Sequence, residues 1–269
     1  MKNECVWTRG KPSPDHKQLI VAIDHGMSFP DMPGLGTPFE LLRSLADNPY
    51  VDGIIASPGV FRNAARHGID LSGKNRILVT DFVAMDESGG KTRLTHRRMV
   101  ISPEAGDACD PDCYKFFFNV YPDKDRLMEN CRDLAQYAAA AAERGISCLA
   151  EIMFYENEAF QDSKRQADEL FKGCRMAMEL GADVLKIPMI ENTEAIGEIA
   201  TRLKLPVFVL GGGRRGSDAE LLEAIRKVCR QPICGLMFGR NIWQSEDIES
   251  TIAAIRSVLG LGPAEVNRR

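Results

Sequence analysis

Short runs rich in Val, Ile, Leu and Phe alternate with longer helical segments along most of this 269-residue chain. Such runs are typical of strands in a parallel sheet, which is buried on both faces. Eight are predicted: Leu19–Asp24, Val51–Ala56, Arg76–Thr80, Lys115–Val120, Ser147–Met153, Asp183–Ile187, Pro206–Leu210 and Pro232–Phe238. At this length, eight strands with intervening helices predict an α/β fold, a closed (β/α)8 TIM barrel. A doubly wound open sheet is the alternative.

Helical patterns fill the spaces between several of these strands. The segment 217–229 begins at Ser217, with Glu220 three residues later, which is the pattern of a capping box. The other predicted helices are Arg126–Arg144, Ser163–Leu180 and Asn241–Leu259. One domain is predicted over residues 1–269, with an irregular insertion at about 82–114 after the third strand and a short tail from Gly262 to Arg269.

Composition excludes several classes of function. The net charge of −4 gives no basic field for nucleic acid. No apolar run is long enough to cross a membrane, and no secretory leader is recognisable. Scattered cysteines are typical of free thiols in a cytoplasmic protein. Cys109 and Cys113 are the one close cysteine pair, and the four histidines form no ligand spacing, so we expect no metal.

Lys186 lies among Val184, Leu185 and Ile187 near the end of the sixth predicted strand. An ammonium without a partner in an apolar wall is costly, which favours the neutral, nucleophilic amine. The sequence therefore predicts either a Schiff-base lysine or a structural lysine paired with a carboxylate.

Two carboxylates, Asp24 and Glu151, also lie in apolar strands and need partners. Inward-facing residues of a barrel converge, so we expect Lys186 to be the cation that both carboxylates share. A structural ion-pair cluster is the alternative. Three ionisable groups at strand ends favour a catalytic site, because barrel cores are normally filled by Val, Ile and Leu.

A glycine loop, Gly211-Gly212-Gly213-Arg214-Arg215, follows the seventh strand, and Gly239-Arg240 follows the eighth. Loops at these two places form the usual phosphate site of the barrel fold. Backbone N–H groups of glycines can approach an anion closely, and arginines can bind phosphate in bidentate fashion. The pattern predicts a phosphate site, with a solvated basic loop as the alternative. His25 and Ser57 follow the first two strands, and we expect both to bind substrate; a structural histidine with satisfied hydrogen bonds is the alternative for His25.

The ordered set of motifs resembles the DhnA/DeoC/LacD group of class I aldolases. The motifs are Asp24-His25-Gly26, Gly181-Ala-Asp-x-x-Lys186, the glycine loop and Gly239-Arg-Asn-x-x-Gln244, spread over residues 19–257. The resemblance implies a (β/α)8 barrel, no cofactor or metal, a phosphorylated sugar substrate and a homo-oligomer. It also implies that Lys186 is the nucleophile and that Asp24 assists it. Some members carry a tyrosine shuttle at the end of strand five, where Met153 stands here with Tyr155 beyond. We therefore expect Glu151 to move the proton and Tyr155 to contact substrate.

The predicted reaction is reversible cleavage of a phosphorylated ketose, of the 1-phosphate or 1,6-bisphosphate type, into dihydroxyacetone phosphate and an aldehyde. A thiolase or transaldolase-type transferase is the second hypothesis, because autoinducer-2 processing thiolases share the scaffold. A barrel that binds sugar phosphate without turnover is the third.

Overall fold

The computed structural model describes residues 13–88, 91–213 and 216–260. Eight parallel strands close into a barrel, which confirms the predicted fold class. The strands are β1 (Gln18–Ala22), β2 (Gly53–Ala56), β3 (Asn75–Val79), β6 (Cys113–Asn119), β7 (Ser147–Met153), β8 (Val184–Pro188), β9 (Val207–Leu210) and β10 (Gly235–Phe238), and β10 pairs with β1. Strands β4 (Asp81–Ser88) and β5 (Lys91–Met99) form a separate two-stranded sheet.

Helices cover the outside of the barrel. They are α1 (Pro38–Asp47), α2 (Pro58–Ala64), α3 (Pro103–Asp107), α4 (Lys124–Arg144), α5 (Glu158–Gln161), α6 (Gln166–Glu179), α7 (Thr193–Leu203), α8 (Asp218–Val228), α9 (Arg240–Trp243) and α10 (Ile248–Val258). The capping box at Ser217 and Glu220 is present, as predicted.

Alternation along each strand separates two cores. On β6, Tyr114, Phe116 and Phe118 belong to the large core between barrel and helices, whereas Cys113 lies in a smaller core inside the barrel. This period of two places Lys115 and Phe117 on the inner side as well. The inner core therefore fills the lower barrel and leaves ionisable side chains at the carboxyl ends of the strands.

The segment predicted to be an irregular insertion contains regular structure instead. β4 and β5 pair antiparallel from Asp81 with Met99 to Ser88 with Lys91, and α3 follows. The signal was Gly89-Gly90 between two strand-like runs, a dipeptide typical of hairpin turns; these two glycines lie outside the described residues.

The last predicted helix is two helices, α9 and α10. The break has a local cause, because Asp247 caps α10 by accepting a hydrogen bond from the Ser250 N–H. The predicted tail from Gly262 lies outside the described part of the chain. Among the described helices, none is both long and apolar enough to cross a membrane.

Candidate active site

Four charged side chains form one chain of contacts inside the mouth of the barrel. Lys115 Nζ lies 2.8 Å from Asp24 Oδ2 and 2.6 Å from Glu151 Oε2. Lys186 Nζ lies 2.6 Å from the other oxygen, Glu151 Oε1. All four side chains are buried or nearly so, and all four line the same cavity. We call these four residues the tetrad; two ammonium groups balance two carboxylates.

Electrostatic contacts within the tetrad hold Asp24, Glu151 and Lys115 in their ionised forms. Burial alone would raise the pKa of Asp24 and of Glu151, but the Lys115 and Lys186 cations hold both well below their ordinary values. Burial would lower the pKa of Lys115, but Asp24 and Glu151 raise it above the usual lysine range. Lys115 is therefore a fixed cation at neutral pH, and the two carboxylates are available as proton acceptors.

The structure corrects one expectation about this cluster. The cation that Asp24 and Glu151 share is Lys115, whereas the ion pair recorded for Lys186 is with Glu151. The sequence did not indicate Lys115, because the predicted fourth barrel strand begins at that residue, where a lysine normally reaches solvent. The strand begins two residues earlier, at Cys113, and this places Lys115 inside the barrel.

The loops after β9 and β10 meet at one side of the cavity. Asn241 Nδ2 donates hydrogen bonds to the carbonyl oxygens of Gly211 and Gly213, both at 3.2 Å. A Cβ atom on Gly211 would lie 2.6 Å from that nitrogen, so this approach requires glycine. Gly211, Gly212, Gly213 and Gly239 all line the cavity. The structure thus brings together the glycines that the sequence assigned to phosphate.

Arg240 follows Gly239 and lines the same side of the cavity. Its Nε atom is buried and has no hydrogen-bond partner in the described structure. A buried donor without a partner is costly, so this guanidinium is suited to an anion entering from the cavity. Arg214 and Arg215, also assigned to phosphate, lie outside the described residues.

His25 lies between the tetrad and Arg240. Burial lowers its pKa to about 4, even though Asp24 opposes the shift, and Lys186 and Arg240 lower it further. Its Nδ1 is 3.5 Å from Asp24 Oδ1, and its ring meets Trp243 edge-on at 5.4 Å. His25 is therefore neutral at pH 7 and can exchange hydrogen bonds with a bound substrate.

Of the other two residues assigned to substrate, only Tyr155 reaches the cavity. Tyr155 follows β7, stacks on Phe117 with ring centroids 6.1 Å apart, and donates its backbone N–H to Asn119 Oδ1. Ser57 occupies the N-cap of α2 and is not among the residues that line the cavity. The described residues contain no group of three or more His, Cys, Asp or Glu side chains that could hold a metal ion.

The fold and this cavity define a (β/α)8 barrel with a lysine and a glutamate in contact, beside two glycine loops and a buried arginine. Residues 18–245 match the model of the DeoC/LacD family aldolases. The chain belongs to this family of class I aldolases, which are carbon–carbon lyases.

Individual proteins share a modest fraction of identical residues with this chain, and each match extends over most of it. An uncharacterised aldolase of Saccharolobus solfataricus is 22% identical, over 90% of this chain and 89% of its own. A 2-amino-3,7-dideoxy-D-threo-hept-6-ulosonate synthase of Halobacterium salinarum is 26% identical, over 92% and 88%. A Schiff-base-forming fructose-1,6-bisphosphate aldolase has a TM-score of 0.72 at 21% identity, covering 91% of this chain and 95% of that one.

Proposed function

We propose that this protein cleaves a phosphorylated ketose reversibly into dihydroxyacetone phosphate and an aldehyde, through a Schiff base on Lys186. The observation that carries the proposal is the 2.6 Å contact between Lys186 Nζ and Glu151 Oε1. It supplies a nucleophile together with a base that can take its proton. Arg240, whose buried Nε has no hydrogen-bond partner in the described structure, lines the same cavity.

Binding would begin with the phosphate between the glycine loops and Arg240. Anchoring the phosphate orients the ketone carbon toward Lys186, which converts an encounter into an oriented reaction. Lys186 transfers a proton to Glu151 as its nitrogen attacks the carbonyl carbon. A second proton moves from that nitrogen to the former carbonyl oxygen, which gives a carbinolamine. Glu151 then returns its proton to this hydroxyl group, water leaves, and an iminium forms.

Bond cleavage then uses Glu151 again, now as a carboxylate. It removes the proton from the C4 hydroxyl, the C3–C4 electron pair moves toward the iminium, and an aldehyde and an enamine result. Glu151 gives its proton to C3 of the enamine, and hydrolysis releases dihydroxyacetone phosphate. Lys115 holds Glu151 and Asp24 as carboxylates between these steps. A positioned base of this kind contributes roughly 10²- to 10⁴-fold.

The test is reduction with sodium borohydride in the presence of dihydroxyacetone phosphate, followed by intact mass and peptide mapping. We expect one reduced adduct, on Lys186, and none in Lys186→Met. Lys172→Met is the matched control, because Lys172 is an exposed lysine on α6 and should leave the adduct unchanged. An adduct on Lys115, or its persistence in Lys186→Met, would refute the assignment of the nucleophile.

A transferase acting through the same Schiff base is the second candidate, since a synthase is among the relatives. In that case the enamine or acyl fragment would pass to a second substrate. Product analysis separates the two: the aldolase releases free aldehyde from the ketose alone, whereas the transferase turns over only with an acceptor present and yields the acceptor joined to the transferred fragment.

A further inference from the structure

The cavity has two chemically different ends. It has a volume of about 260 Å³ and is lined by the glycine loops and Arg240 on one side of Lys186. Strand β4 of the hairpin and the ends of β6 and β7 line the other side, because β7 and β6 lie on the side of β8 opposite to β9 and β10 in the barrel. Typical pockets for drug-sized ligands measure roughly 300–1,000 Å³, so a small metabolite suits this one. If phosphate occupies the first end, the fragment released as aldehyde occupies the second.

An apolar wall covers this second end. Val83 and Met85 of β4 line the cavity, and they pack with Phe117, Met153 and Tyr155 in one cluster. Leu94 of β5 is fully buried in the same cluster and fixes the hairpin from behind. The wall presents carbon atoms to whatever fragment lies there.

Asp81, the first residue of β4, adds negative charge at the same end. It is 1% exposed and lines the cavity. Its Oδ2 accepts hydrogen bonds from Arg97 Nε at 2.8 Å and from the Phe117 N–H at 2.9 Å. Its Oδ1 is buried with no hydrogen-bond partner in the described structure. An unpaired carboxylate oxygen can accept a hydrogen bond from a substrate hydroxyl.

The cations near Asp81 do not compensate for a further anion. Arg97 also pairs with Asp133, at 3.0 Å, and Asp133 pairs with Arg132, at 3.1 Å. The charges of these four side chains sum to zero, so they leave no surplus positive charge for a further anion. Lys115 is held between the two carboxylates of the tetrad. The described residues that line this end supply no other cation. A phosphate here would lie near the unpartnered Asp81 Oδ1 and an apolar wall, with no uncommitted cation among the described lining residues, which is unfavourable.

We propose that the released aldehyde is uncharged and has an apolar carbon chain with a hydroxyl group that donates a hydrogen bond to Asp81. The substrate then carries one phosphate, at its ketone end. The inference rests on the proposed function and deepens it. The inference favours a ketose 1-phosphate over a ketose 1,6-bisphosphate as the substrate.

The experiment measures condensation of dihydroxyacetone phosphate with two aldehydes, 2-hydroxypropanal and glyceraldehyde 3-phosphate. We expect kcat/KM at least about tenfold higher for 2-hydroxypropanal, since a site that leaves a charge unpaired discriminates strongly. Equal values, or a preference for the phosphorylated aldehyde, would overturn the inference. Absence of the borohydride adduct from the wild-type protein would instead refute the proposed function. Failure of the inference and failure of the proposed function are therefore distinguishable.

A charge placed on the apolar wall provides a second test. Met85→Lys should shift the ratio of the two kcat/KM values by about tenfold or more toward glyceraldehyde 3-phosphate. Met128→Lys is the matched control, because Met128 is 64% exposed on α4, and its ratio should stay at the wild-type value. An unchanged ratio in folded Met85→Lys would show that the aldehyde does not lie against the hairpin. If that variant does not fold, the wild-type ratio decides.

Discussion

Replacing Lys115 by methionine should destabilise the fold more than the same replacement at Lys186. Methionine keeps most of the length of the side chain, so each change removes mainly the charge. Lys115 contacts two buried carboxylates, Asp24 at 2.8 Å and Glu151 at 2.6 Å. Lys186 contacts Glu151, which keeps its 2.6 Å contact with Lys115 after Lys186 is lost. The two lysines therefore differ in what their removal leaves behind.

The magnitudes follow from these contacts. Removing one partner of a buried ion pair costs roughly 3–5 kcal/mol, because it leaves a charge uncompensated. Lys115→Met does this to Asp24 and weakens the hold on Glu151, so we expect a loss of that size at pH 7. Lys186→Met removes one ion-pair contact to a carboxylate that keeps a second partner, for which we expect about 1–3 kcal/mol.

The free energy of unfolding of each variant can be measured by urea denaturation at pH 7. The difference between wild type and Lys115→Met should shrink as pH falls below about 4. Asp24 and Glu151 have lowered pKa values in the folded protein, so the stability they provide is present above their unfolded pKa values and lost as pH falls. A double-mutant cycle with Glu151→Gln should give a coupling energy to Lys115 of at least about 1 kcal/mol.

The opposite order of stability would refute this reasoning. If Lys186→Met costs as much as Lys115→Met, then Lys115 is not the cation on which the buried carboxylates depend. Additive effects of Lys115→Met and Glu151→Gln would show that the contact contributes nothing net. Activity provides a separate control, because only the Lys186 variant should lose the borohydride adduct completely.

Three further predictions concern single residues. Arg240→Ala should raise KM for the phosphorylated ketose about 10- to 100-fold, from one lost charge-assisted hydrogen bond or two; no change in KM would remove Arg240 from the phosphate site. His25 has its pKa lowered from 6.5 to about 4, so its contribution to stability is complete above pH 6.5 and is lost as pH falls toward 4. The free energy of unfolding should fall by at most about 3 kcal/mol over this pH range, and thermal unfolding of His25→Gln should lack this decrease. The same dependence of stability on pH in His25→Gln as in the wild type would show that His25 is not its source. Gly235→Ala should lower the free energy of unfolding by more than about 1–3 kcal/mol, because Gly235 has φ +146° and a Cβ would lie 2.0 Å from the Gln18 carbonyl oxygen; Gly59→Ala, with open space around it, is its control.

The barrel was predictable from the sequence because its signal is repeated. Each of the eight barrel strands is an apolar run of its own, and an error at one end of a run does not change the fold class. The chemistry at the strand ends was also accessible, since Asp24, Glu151 and Lys186 are ionisable residues in apolar surroundings. The hairpin was less accessible, because β4 and β5 carry many polar residues and pair only with each other.

Contacts within the site depend on the stagger of the barrel, which the sequence does not state. In register, Glu151 of β7 pairs with Phe117 of β6 and with Lys186 of β8, while Lys115 pairs with Leu149. Lys115 nevertheless reaches Glu151 from two residues lower on the neighbouring strand, because inward side chains of a tilted barrel form layers across strands. Which lysine bridges the carboxylates is therefore a three-dimensional result.

Charge balance could still have indicated that the predicted cluster of Asp24, Glu151 and Lys186 lacked a cation. Two buried carboxylates with Lys186 as their one cation leave a net negative charge inside a barrel, and an uncompensated buried charge is unstable. The predicted strands contained two further cations, Arg76 and Lys115, each assigned to the first position of its strand. Extending the fourth barrel strand by two residues buries Lys115 beside the carboxylates, whereas Arg76 lies 2.6 Å from Asp110 at the surface. If the cluster must be neutral, then either Arg76 or Lys115 belongs to it. The observed start of the strand at Cys113 identifies Lys115 as that cation.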